Sequence, residues 1–106
     1  MADEIIVLIT ASSTDEAVRL GTALVDERLA ACVNLVPQVR SLFFWEGKTQ
    51  DERETLLIAK SRQPLLGQLV SRVKSLHSYA VPEVIALPII GGSGDYLAWL
   101  NVTTKG

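Results

Sequence analysis

Two side chains in this 106-residue sequence could bind a soft or borderline metal ion, Cys32 and His77. A thiolate binds such ions, or attacks an electrophile, when a neighbour lowers its pKa. A neutral imidazole is the commonest transition-metal ligand and can move protons near pH 7. The stretch from His77 to Glu83 adds a carboxylate that could complete a mixed nitrogen and oxygen site. One cysteine and one histidine cannot supply the four donors of a structural zinc site. The sole methionine is Met1, which excludes a thioether-rich copper(I) site. Two routes to a metal site stay open: a mixed site of Cys32, His77 and Glu83, or an oligomer axis that gathers copies of one ligand. Each residue also has a plainer reading. His77 can bond the last carbonyls of a helix, where positive charge is favoured. Cys32 can be a small buried hydrophobe.

Enzymatic patterns are missing. No G-x-G-x-x-G follows the first apolar run, and there is no Walker loop and no G-x-S-x-G. Gly91-Gly92-Ser93-Gly94 could cradle an anion at a helix start, but it also reads as a plain turn. Glu52 and Glu54 share a strand face and resemble paired carboxylates; a solvated arm accounts for them equally. Phe43, Phe44, Trp45 and Trp99 could line a pocket, although aromatics also dominate cores and interfaces.

These residues must be positioned by regular elements. Ile5 to Ala11 is an apolar, β-branched run that reads as a strand buried on both faces. Ser13 and Glu16 have capping-box spacing, and the apolar positions from Ala17 to Leu29 recur at helical intervals, predicting a helix over 14–30. From Cys32 to Trp45 the period is two, with Val33, Leu35, Val39, Phe43 and Trp45 on one face. Pro37 marks a bulge or an edge in that strand. Glu46-Gly47-Lys48 is the turn of a long hairpin that returns through 49–60, with a polar tip and an apolar base. Pro64 starts a second amphipathic helix over 64–77. Val84 to Ile90 reads as a fourth strand, bulged or at an edge because of Pro88. Residues 95–100 form a short closing helix with Tyr96, Leu97 and Leu100 inward.

The order β-α-β-β-α-β predicts an α+β, ferredoxin-like domain over residues 1–106, with both long helices on one face of an antiparallel sheet. The other face keeps apolar residues with too little to cover it, which points to self-association. The net charge is −2 and no basic stripe occurs, so nucleic-acid binding is not expected. The apolar runs are too short to span a bilayer. The acidic start before Ile5 and the lone cysteine point to a cytoplasmic protein.

Several segments together resemble the CutA (divalent cation tolerance) family. They are Ala31-Cys32-Val33-Asn34, Ser41 to Lys48 (SLFFWEGK), Glu54 to Lys60 (ETLLIAK), His77 to Val84 (HSYAVPEV), Leu87-Pro88-Ile89 and Tyr96 to Leu100 (YLAWL). The family usually has His-Pro-Tyr-Glu where this chain has His77-Ser78-Tyr79-Ala80, and a tyrosine at Phe43. The resemblance implies a stable homotrimer with hairpins pairing between subunits, similar to the nitrogen-regulatory PII proteins. It also implies a role in tolerance of divalent cations, copper above all, with no obligatory cofactor and no enzymatic activity. A PII-like alternative is a trimer that binds a small anion or metabolite in clefts between subunits, with Trp45, Lys60 and Tyr79 beside Glu83 as cleft residues. A third reading is a structural adaptor trimer.

Overall fold

The computed structural model describes residues 3–106. Met1 lies outside the described residues. The elements are β1 (Glu4–Ala11), α1 (Thr14–Asp26), β2 (Cys32–Trp45), β3 (Lys48–Arg62), a short 3-10 turn (Gln63–Leu65), α2 (Leu66–Leu76), β4 (Val84–Pro88) and α3 (Gly94–Thr103). The strands form one sheet in the order β2-β3-β1-β4, and every neighbouring pair is antiparallel. This is the ferredoxin-like arrangement.

Alternation along β1 explains the layering. Ile5, Val7, Ile9 and Ala11 are buried and meet Leu20 and Leu24 of α1 and Leu69 and Val73 of α2 in the core. Leu57 and Ala59 of β3 join them from the same face. Ile6, Leu8 and Thr10 point the other way, with Leu56, Ile58 and Lys60 opposite them in register. α3 covers one end of that second face. Asn101 donates to the Glu4 carboxylate at 2.5 Å, and Arg62 donates to the Thr104 hydroxyl at 2.8 Å. Only Leu100 of α3 is fully buried; Tyr96, expected to face inward, is exposed, and Leu97 is half-buried. The rest of the face is open, with Val36, Ile85 and Leu87 exposed.

α1 stops short of residue 30. Arg28 adopts φ 60, and the amides of Leu29 and Ala30 both turn back to the Leu24 carbonyl. This left-handed close satisfies a terminal carbonyl as a glycine-ended helix would. β4 ends at Pro88, so Ile89 and Ile90 lie outside the strand. The Ile89 amide nonetheless bonds the Glu4 carbonyl at 3.0 Å.

The strand reading of β2 needs one correction. Its pairing with β3 shifts between Val36, opposite Leu56, and Val39, opposite Glu54. Pro37 and Gln38 thus face a single residue, and Gln38 takes φ 64. This is a β-bulge, and one extra residue reverses which positions face which side. Val33 and Leu35 pack against the core, whereas Val39, Phe43 and Trp45 pair with Glu54, Gln50 and Lys48 on the open face. The five residues do not share a face.

Candidate acidic groove beside the hairpin arm

β2 and β3 continue past the sheet as an arm, and the molecule is 44 Å along its longest axis. Where the arm leaves the sheet, the segment after α2 crosses in front of it. Between them lies a groove of about 820 Å³. Phe43, Trp45, Glu52 and Glu54 line the arm side, and Tyr79, Val81 and Glu83 line the other.

A buried carboxylate holds the crossing segment in place. The hydroxyl of Ser13 caps α1 by accepting from the Glu16 amide at 3.1 Å. The Glu16 side chain does not close the expected reciprocal box on Ser13. It accepts instead from the Ser12 amide and hydroxyl, both at 2.9 Å, and from the Ser78 amide at 2.7 Å. Burial alone pushes this carboxyl up, but the bonds from Ser12 and Ser78 outweigh burial and hold it at about 2. The sequence pattern marks Glu16 as a helix-start residue. Nothing in the local pattern reveals its reach to Ser78, which is 62 residues away.

His77 sits beside Glu16 with its side chain fully buried. One ring nitrogen, Nδ1, accepts from the Tyr79 amide at 3.0 Å. That leaves Nε2 as the protonated nitrogen, donating to the Thr10 carbonyl at 2.7 Å. Both nitrogens of the neutral ring are therefore engaged. His77 caps no helix carbonyl; it ties the segment after α2 to β1. Tyr79 then stacks at 4.7 Å from the imidazole and donates its hydroxyl to Glu54 Oε2 at 2.7 Å. Burial first, and then the Glu54 hydrogen bond and charge, push the Tyr79 phenol far up, so it remains a donor.

Glu54 is not the solvated arm residue that the sequence suggests. It is only 7% exposed. Its bond from Tyr79 is its one side-chain hydrogen bond, and no ion pair reaches it among the described residues. Glu46, Glu52 and Glu83 also line the groove, and no lysine or arginine does. The arm's arginine pairing, Arg40 with Asp51 at 2.6 Å, is solvent-exposed and involves no residue of the groove lining.

Cys32 lies elsewhere. It opens β2 opposite Lys60, which in turn pairs with Ile6. The Lys60 ammonium lies 3.9 Å from Cys32 Sγ and also donates to Asn34 Oδ1. Burial, and then Cys32 itself, push the phenol of Tyr96 up at the same spot. His77 meets β1 at Thr10, four residues along from Ile6, or about 13 Å at strand spacing. Within one chain Cys32 and His77 do not come together, and Glu83 is exposed on the groove wall. Among the described residues no group of three or more His, Cys, Asp and Glu side chains is placed to hold a metal ion. Of the four cleft residues, Trp45, Tyr79 and Glu83 share the groove, and Lys60 does not.

Comparison with known proteins agrees with the fold. The family model described as CutA1 divalent ion tolerance protein matches residues 5–103. The chain is 50% identical over 101 residues to the Arabidopsis thaliana protein named Protein CutA, chloroplastic, covering 95% of this chain but 56% of that relative. It is 46% identical over 101 residues to the divalent-cation tolerance protein CutA of Thermus thermophilus, covering 95% of this chain and 98% of the relative. The crystal structure of CutA1 from Oryza sativa superimposes with a TM-score of 0.96 at 47% identity, over 98% of this chain and 95% of that one. This chain belongs to the CutA1 divalent ion tolerance family.

Proposed function

We propose that the chain serves divalent-cation tolerance as a homotrimer that binds divalent cations, copper(II) or a similar ion among them, and that the acidic groove is where the cation is gathered. The observation that carries this reading is the lining of the groove: Glu46, Glu52, Glu54 and Glu83, with no basic side chain. Carboxylates of one sign in a concave, partly apolar cleft concentrate cations by focusing the field. The same lining repels anions, so the PII-like anion reading loses its footing once Lys60 is placed outside the groove. A tightly coordinated ion would draw donors from more than one subunit, since one chain does not cluster them. The uncovered apolar residues Val36, Ile85 and Leu87 support such association. Cys32 and Glu83 are the donors open to this role; His77 joins them only if its ring leaves Thr10.

No catalytic step belongs to this reading. Cytoplasmic residence is part of the proposal; the relative named chloroplastic makes cell fractionation its test. No helix among the described residues is long and apolar enough to cross a membrane.

The test is calorimetric titration of tag-free protein with copper(II), using magnesium as control, alongside light scattering. A mass three times the 11.5 kDa chain and saturable copper binding support the proposal. The Glu83→Gln and Cys32→Ser variants then weaken binding. A monomer mass removes the trimer, and copper binding no stronger than that of magnesium removes the ion.

A further inference from the structure

The groove is better matched to an elongated organic cation than to a bare ion. Its carboxylates are dispersed rather than convergent. Glu52 and Glu54 are successive same-face positions on β3 and stand about 7 Å apart at strand spacing. Phe43 and Trp45 continue the groove toward the arm tip on the neighbouring strand, 40% and 49% exposed. Val81 adds apolar surface from the opposite wall. A hydrated metal ion has no use for aromatic faces and methyl groups. An alkyl chain bearing separated ammonium groups uses both. Its charges meet the spaced carboxylates and ring faces, and its methylenes cover the apolar wall.

Glu54 supplies a second, independent pointer. A carboxylate that is 7% exposed ordinarily has a cationic partner or several donors. This one has a single hydrogen bond, from Tyr79, on Oε2. The sole buried side-chain oxygen without a partner among the described residues is on Glu4, so Glu54 Oε1 is not sealed in the protein interior. It opens on the groove with its acceptor capacity unused.

We propose that this groove binds linear aliphatic polyamines, with Glu54 and Glu52 taking successive ammonium groups and Trp45 covering the chain. The proposal rests on the groove being a cation site, as argued above, and adds the class of cation. It is tested on the intact protein carrying Trp99→Phe, which leaves Trp45 as the one tryptophan. Spermidine is titrated while Trp45 emission is followed, with butylamine, magnesium and copper(II) as separate arms. Saturable spermidine binding is expected, at least tenfold tighter than that of butylamine. Trp45→Ala, assayed by calorimetry, weakens it about threefold to tenfold. Glu52→Gln weakens it and flattens its salt dependence. Glu54→Gln abolishes the preference for the polyamine, and circular dichroism confirms that this variant is folded. If copper(II) binds and spermidine does not, the polyamine assignment falls and the metal reading stands. If neither binds and acrylamide fails to quench Trp45, the groove is covered by a second copy of the chain and both readings of it fall. Spermidine binding that survives both glutamate substitutions also overturns the assignment, by placing the amine elsewhere.

Discussion

Glu16 offers the sharpest check on how the groove is built. Its carboxylate is 3% exposed and takes bonds from Ser12 and Ser78, and its folded value is about 2 against an ordinary 4.5. Each unit of such a difference is worth about 1.4 kcal/mol, so the charged form contributes about 3 kcal/mol per chain to folding. The sign follows from which state binds the proton first. On acidification the unfolded carboxyl is protonated near 4.5 and the folded one near 2. The contribution is complete above pH 4.5, falls to roughly half by pH 3, and is gone below pH 2. Glu16→Gln keeps the shape but offers one oxygen where two are used, so its amide NH2 faces a donor at Ser12 or Ser78. At pH 7 the variant should be less stable by about 2–3 kcal/mol, since a buried donor loses its partner. In guanidinium unfolding followed by far-UV ellipticity, that shifts the midpoint down by about 1 M. The gap between variant and parent should shrink as the pH is lowered from 7 to 3. Equal midpoints at pH 7, or a gap that ignores pH, would refute the assignment of this carboxylate as the anchor of the segment from His77 to Glu83.

Other expectations follow from the same contacts. Tyr79→Phe removes the donor to Glu54 and should cost about 1–3 kcal/mol in the same unfolding assay. Leu57→Ala opens a void in the core, where Leu57 is fully buried, and should cost about 2–5 kcal/mol. Arg40→Ala breaks an ion pair that stands in solvent, so thermal melting of the variant should overlay that of the parent.

The sequence carried the layer order because burial periodicity is local. Ile5 to Ala11, the α1 stripe and the α2 stripe are each legible within one element, and together they imply the sheet. The turn at Glu46-Gly47 was equally legible, and both of its residues take positive φ. What escaped was long-range or phase-dependent. The end of α1 was misplaced because a left-handed arginine closes it, where a glycine would have signalled the stop. The faces of β2 were misread because Pro37 warns of a bulge without saying how many residues it absorbs. The candidate site was half visible. Trp45, Tyr79 and Glu83 meet, but Lys60 and Cys32 belong to the far end of the sheet. The burial of Glu54 and the reach of Glu16 depend on partners 25 and 62 residues away, which no spacing rule connects.

The bulge at Pro37 and Gln38 also divides one strand into two independent design problems. Before it, a substitution in β2 answers to the interior, where Val33 lies 3.3 Å from the position a side chain at Gly21 would occupy. After it, substitutions answer only to whatever meets the arm. The arm can therefore be rewritten for a new ligand or neighbour without disturbing the fold that carries it. A strand interrupted in this way behaves as a fixed stem with an exchangeable tip.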